Sequence, residues 1–497
     1  MCNRLNDKKR SFACCVVALA LLLSFCGHQA SAITAPVLAE STSLVMAAVN
    51  ADGYLQPGFS SALPLVVFDA SKADAPPNYE NNFFLETNIL LSDNGSNNTL
   101  PSVEFAGSKA AVHNLTDREN TTDKKHDYFI RFEEETQLLG LRPAQEFFAL
   151  GGMDDKSLIR NYIGYAMAKE IFTNAPDIRL CELVVCDGDE YRYQGVYLLV
   201  ATSPAPGDFL LQRSTAGVEM LLETYADLYD DTIGELTIPL REKAGWDDSY
   251  NESLGKLSWA EEVLYYTASR TFYQYQELFD VESFVGAFIL GELTGNYTGM
   301  QNAYYYYNGG KNLISYAPLW DFSHAFDNDA DKPTSPDGIH YTEATYFRQL
   351  FKSPSFANQI QTTYLQLRRV ALDEQRLAKL VDDAVALVSP AVGRDWARWS
   401  EYRHVQLKPL TEIKTGEDTV REIEPFSRQS GSYENEILRM KTQLREHSLH
   451  FAVAVTQFDF QEREISKEIV LNSNPIWIVV LLVVFFLIVR FVRKYGV

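Results

Sequence analysis

Positive charge is in short supply in this chain. Its 44 Lys and Arg stand against 66 Asp and Glu, for a formal net charge of −22. Such a surface repels nucleic acid and anionic lipid, which argues against a nucleic-acid partner. Seven of the basic residues (Arg4, Lys8, Lys9, Arg10, Arg490, Arg493 and Lys494) lie near the two ends, so the part between is more acidic still. Cysteine is sparse too. Of six, Cys2, Cys14, Cys15 and Cys26 fall in the N-terminal segment, and only Cys181 and Cys186 remain. Two thiols are too few for a zinc site. In an oxidising compartment they predict one local disulfide, with two free buried thiols as the alternative. A glycine-rich Walker loop is missing, and no Ser or Cys motif of the hydrolase kind accompanies His324. Asp327-Asn-Asp-Ala-Asp331 alternates carboxylates, but Lys332 stands where an EF-hand needs Gly and Gly338 where it needs Glu.

Both ends read as membrane-related signals. Lys8-Lys9-Arg10, an apolar run from Cys14 to Phe25, and the small-x-small site Ala30-Ser31-Ala32 predict a signal peptide over 1–32. Phe25, in place of a small residue before Cys26, argues against lipidation. At the other end, 475–492 is nearly all apolar, near the short limit of the roughly 17 to 25 residues a spanning helix needs. Arg490, Arg493 and Lys494 set the C-terminus in the cytoplasm by the positive-inside rule. The expected order is a signal peptide (1–32), an outer domain (33–455), a juxtamembrane segment (456–474), a transmembrane helix (475–492) and a cytoplasmic tail (493–497). That makes a single-pass membrane protein with its domain periplasmic or at the cell surface.

The outer domain has no clean linker or repeat. Its first third carries strand signals: Leu63 to Phe68, Asn82 to Leu91, Val103 to Phe105 and Tyr128 to Phe132. A helix is expected from near Asp155. A hairpin of Ile178–Val185 with Tyr191–Val200 follows, turning at Cys186-Asp-Gly-Asp-Glu. Helical periodicity then dominates, in Trp259–Tyr275, Val281–Leu293, Tyr346–Phe351, Phe356–Leu372, Glu374–Leu387 and Tyr433–Val455, the last leading toward the membrane. Strands first and helices later predict an α+β fold with two lobes.

The chemistry concentrates in Leu293-Thr-Gly-Asn-Tyr-Thr-Gly-Met-Gln-Asn-Ala-Tyr-Tyr-Tyr-Tyr307 and Pro318-Leu-Trp-Asp-Phe-Ser-His-Ala-Phe-Asp327. These read as a helix end, a polar loop, an aromatic strand and a second strand ending at Trp320-Asp321-Phe322. A carboxylate just after a buried strand, beside an amide-bearing loop, is how nucleotide kinases hold a metal-bound triphosphate. Asp321 is the candidate metal ligand, with capping of the following turn as the alternative. Asn302 offers a second metal oxygen or simply starts the aromatic strand. Lys125 and Arg131 are candidate phosphate cations, or solvated strand-edge residues.

Together with Lys124-Lys125-His-Asp-Tyr-Phe-Ile-Arg-Phe132, Ser157-Leu-Ile-Arg160 and Tyr193-Gln-Gly-Val-Tyr-Leu-Leu199, this segment resembles the CotH family of spore-coat-protein-H-like kinases, over roughly Leu63 to Val455. The resemblance implies an atypical kinase-like domain, strand-rich at first and helical later, that binds ATP with Mg²⁺ or Mn²⁺. It implies phosphorylation of Ser/Thr in an envelope or secreted protein substrate. It further implies nucleotide contacts from Lys125, Arg131, Asn302 and Trp320, and metal contacts from Asp321 and Asn302. The catalytic position that the family usually fills with Asp is Thr298 here. A hydroxyl is far too weakly basic to take a proton as a carboxylate does. Phe105-Ala-Gly-Ser108 lacks a usual Arg, and Ala201 stands where a Glu is usual. The alternative is a nucleotide-binding, scaffolding or adhesin protein on the same fold, without phosphotransfer.

Overall fold

The computed structural model describes residues 49–50, 52–69, 85–100, 109–114, 125–173, 175–188, 190–201, 208–214, 256, 259–261, 263–264, 272–296, 302–308, 312–316, 321–328, 339–342, 346–400, 413–415, 419–421 and 432–457. Thr298, Trp320, the expected strand at 103–105, the signal peptide and the transmembrane segment lie outside them. Among the described residues no helix is long and apolar enough to cross a membrane.

Alternation of apolar side chains builds the first half. β1 (Leu65–Asp69), β2 (Leu85–Ser92), β3 (Lys109–Asn114), β4 (Tyr128–Thr136), β5 (Ala144–Leu150), β6 (Asp177–Asp187) and β7 (Glu190–Ala201) form a closed barrel in the order β1-β2-β3-β4-β5-β7-β6. Neighbours are antiparallel except β1 and β6, which close the barrel in parallel. On β4, Tyr128, Ile130 and Phe132 join the interior with Phe147, Tyr197 and Leu199, whereas Phe129 joins Phe148, Leu198 and Val200 in the core shared with the helices. The period of two thus feeds two cores from one strand. Full burial of each such side chain contributes roughly 1.5–3 kcal/mol. Ala201 belongs to the interior set, so a Glu there would put a carboxylate into an apolar barrel.

Both cysteines lie on β6, five residues apart, which is about 16 Å at the usual rise. A disulfide needs Cα atoms about 4.4–6.8 Å apart. Cys181 and Cys186 are free and buried, which corrects the expected bridge in favour of its alternative.

The second half is helical. α1 (Arg160–Ile171) starts later than expected, because Leu158 adopts φ 62° and the Asp155 carboxylate accepts from the Arg160 N–H at 2.9 Å. α2 (Val281–Thr294) is buried from Ser283 through Thr294, as a central helix must be. β8 (Asp208–Ser214), β9 (Asn302–Asn308) and β10 (Leu313–Tyr316) make a small antiparallel sheet. Its Tyr305 stacks on Phe284 of α2, with ring centroids 6.0 Å apart.

α3 (Pro354–Val370), α4 (Glu374–Arg398) and α5 (Tyr433–Ala454) complete the core. α4 runs well beyond the expected end at Leu387, through Pro390. Burial of Val388, Ala391, Val392 and Trp396 overrides the helix-breaking tendency of proline, and the Ser389 hydroxyl bonds the Val385 carbonyl at 2.7 Å. α5 buries Ile437, Met440, Leu444 and Phe451 against the rest of the helical core.

Candidate functional site

The segment that carries Asp321 is held from several directions. Asp321 has φ 54°, a left-handed conformation uncommon outside glycine, which Asp adopts more readily than most residues and which local bonds here hold in place. The Asn161 amide of α1 supplies much of that enforcement, accepting from the Phe322 N–H at 2.6 Å and donating to Asp321 Oδ1 at 3.3 Å. Asn296, just past α2, donates to the Asp321 carbonyl at 3.1 Å. Phe322 is fully buried edge-on to Tyr165, centroids 5.3 Å apart. It lies directly over Gly164, where a Cβ would come within 2.2 Å of its ring. Arg160 donates to the Ala325 carbonyl at 3.1 Å, and Arg439 of α5 binds the Asp327 carbonyl and, at 3.0 Å, Asn328 Oδ1.

Asp321 Oδ1 also accepts from the Ser323 N–H at 2.9 Å. The turn-capping role expected as an alternative is therefore present, and it occupies only one oxygen. No hydrogen bond reaches Oδ2 among the described residues.

A second carboxylate, Asp127, escaped the sequence reading. It sits in the loop before β4, buried, with Oδ1 accepting from the Gly151 and Gly152 N–H groups, the latter at 3.2 Å. Burial holds its carboxyl well above the usual carboxylate range, and the negative charge of Asp321 adds to the effect; the two N–H groups and Lys125 oppose it. A Cβ on Gly152, whose N–H binds Asp127, would lie 3.8 Å from the Asn161 amide and 4.0 Å from Ser323, both bonded to Asp321, so the barrel half and the helical half each bring one acid to the same region. The only signal of Asp127 in the sequence was its position two residues after Lys125.

Lys125 is neither solvated nor on an edge. Its ammonium is completely buried, 2.7 Å from Asp395 Oδ2 of α4 and 2.7 Å from the Val196 carbonyl of β7. Arg131 instead pairs with Glu146 of β5 at 3.5 Å, on the face that carries Phe129. Asn302 opens β9, opposite Ser214 of β8. Of the expected site residues, Lys125 and Asp321 are drawn together around Asp127. Arg131 is committed to Glu146.

The donors available at Asp321 are hard oxygens. Among the described residues no group of three or more His, Cys, Asp or Glu side chains is arranged to hold a metal by itself. Mg²⁺ and Mn²⁺ are commonly bound through one or two carboxylates, with the other positions left to phosphate and water. Asp321 and Asp127 offer carboxylate oxygens, the donor type that such a cation takes.

In comparisons with known proteins, the family model described as CotH kinase protein matches residues 118–442, well over half of the 497-residue chain. No curated protein matches it.

Proposed function

Because the chain belongs to the CotH kinase family, we propose that it is an ATP- and divalent-metal-dependent kinase acting on Ser/Thr of envelope or secreted proteins. The observation that carries this reading is the meeting of Asp321, with its open Oδ2, and Asp127 close to the buried Lys125. A bound divalent cation would supply positive charge for the phosphates. Everything else falls to the chain's own groups. Asn161 and Asn296 hold Asp321 in its left-handed conformation, so its carboxylate needs no reorganisation when ligand arrives. Lys125, two residues before Asp127, adds a fixed positive charge. Phosphoryl transfer asks little covalent help of a protein and depends mostly on positioning and charge, so a hydroxyl at Thr298 still permits turnover. Membrane anchorage with the domain outside the cytoplasm belongs to the same proposal and rests on the sequence of 1–32 and 475–492.

A second reading, nucleotide binding without transfer, is favoured by Thr298 at the usual Asp position and by Ala201 inside the barrel. One experiment separates the two. The full chain in detergent is incubated with labelled ATP and Mn²⁺ beside Asp321→Ala. Transfer to itself or to a generic protein substrate, lost in Asp321→Ala, supports the kinase. A nucleotide-dependent thermal shift without transfer supports the binding protein, and gain of transfer in Thr298→Asp would locate the deficit. Absence of both shift and transfer in the wild type sinks the nucleotide site altogether.

A further inference from the structure

In protein kinases the lysine of a β-strand is held by a Glu on the helix that follows it. α1 cannot do this here. Its buried residues are Arg160, Asn161, Ile163, Gly164, Tyr165, Met167 and Ala168, with no acid among them. We infer that Asp395, on α4 and 270 positions along the chain from Lys125, is the positioning residue that holds the Lys125 ammonium for the nucleotide phosphates. The inference rests on the nucleotide-site reading above.

The geometry is that of a three-point clamp. Asp395 Oδ2 takes the Lys125 ammonium at 2.7 Å and the Val196 N–H at 2.9 Å, while the Val196 carbonyl takes the same ammonium at 2.7 Å. Both charged side chains are fully buried, so the bonds are charge-assisted in a low-dielectric setting. The aromatic face of Tyr197 lies 5.0 Å from Nζ, and its hydroxyl donates to the His126 carbonyl at 2.8 Å, which fixes the backbone between Lys125 and Asp127.

Gly195 shows that the approach of α4 is built into the barrel. Its φ is +108°, and a Cβ there would lie 2.2 Å from Asp395 Oδ2 and 3.2 Å from Lys125 Cε. Only glycine leaves room for the pair. The neighbouring residues of α4 seal the contact. Arg394 grips Glu182 of β6 at 2.9 and 2.6 Å, and Trp399, just past the helix, donates to the Gln194 carbonyl at 2.9 Å. The Gln194-Gly195-Val196-Tyr197 run is therefore the receptor for the end of α4, and the cation of the site takes its position from that helix.

The test measures two affinities in the full chain with Mn²⁺ present: ATP, which has the phosphates, and adenosine, which does not. Losing a charge-assisted contact predicts that Asp395→Asn weakens ATP by about tenfold or more. Adenosine should bind as in the wild type. Where Asp395→Asn does not fold, Asp395→Glu replaces it; the acid is kept, one methylene displaced, and the same selective loss is expected. A folded variant with the wild-type ratio of ATP to adenosine affinity overturns the inference while leaving the nucleotide site standing. Equal losses for both ligands also overturn it, since a purely structural ion pair acts that way. A wild-type chain that does not bind ATP overturns the nucleotide-site reading, and the inference falls with it.

Discussion

Glu292, on the last turn of α2 and four residues before Asn296, makes a pH-dependent prediction. Its Oε1 accepts the N–H groups of His340 and Tyr341 at 2.9 and 2.8 Å. Burial still outweighs those two bonds and pushes the carboxyl from 4.5 up to about 8. The folded chain therefore binds a proton that the unfolded chain releases above pH 4.5. A raised folded value gives stability that is complete below 4.5 and is lost as pH rises toward 8. At about 1.4 kcal/mol per pH unit, the loss by pH 7 is about 3 kcal/mol, an upper figure because buried sites relax. Glu292→Gln is neutral in both states and lacks that slope. The variant should match the wild type near pH 4.5 and gain on it steadily up to pH 8.

Urea unfolding of the full chain in detergent, followed by circular dichroism from pH 4.5 to 8, measures that difference. His447 contributes an opposing limb, because burial first, and the His340 charge next, lower its value from 6.5 to about 4. Stability from neutral His447 is present above 6.5 and is lost as pH falls toward 4. Wild type and variant share this limb, so it cancels in the comparison. A stability difference that stays flat across the range would refute the assignment of a protonated Glu292.

Gly164→Ala should lower stability by about 1–3 kcal/mol, the usual range for overpacking, because the new methyl meets the Phe322 ring. It should also weaken ATP–Mn²⁺ binding, since Phe322 anchors Asp321; thermal melting with and without nucleotide reports both, and an unchanged melt would refute the packing. Cys181 and Cys186 should resist thiol reagents in the native chain, because both are buried and burial pushes the Cys181 thiol up. Both should react fully in denaturant without reductant, and a Cys181–Cys186 bridge in a peptide map would contradict the strand geometry.

The hairpin β6–β7 was legible from the turn residues between two apolar runs, and strand β4 from its aromatic run after a polar loop. β5 was not. Ala144–Leu150 ends in Phe147-Phe-Ala-Leu150, buried on both faces, and such a run carries no period to read. The extension of α4 past Pro390 was hidden for a related reason: tertiary burial, not local propensity, carries the helix through. The disulfide failed on distance, since proximity in sequence along an extended strand means separation in space. At the site, Trp320-Asp-Phe322 pointed to Asp321. Asp127 reads locally as an ordinary loop residue, and its role comes only from meeting an acid 194 positions away.

The buried carboxylates show what separates scaffold from site. Glu182 receives two bonds from Arg394 and one each from the hydroxyls of Ser61 and Tyr193. Asp155 receives the Ser157 N–H and hydroxyl on one oxygen and the Arg160 N–H on the other, with the Arg160 guanidinium also on the first. Both are satisfied by the fold, and neither has capacity to spare for a cation. Asp321 differs, with one oxygen used by its own turn and Asn161 and the other without a partner among the described residues. Packing alone gives no reason to bring Asp321 close enough to act on Asp127, because two acids together in a partly buried place repel and lose solvation. The divalent cation proposed above would remove both penalties at once. The fold therefore commits Arg394 and Arg160 to acids that need only to be quiet, and on the proposed reading Asp321 is left for a charge that comes from outside the chain.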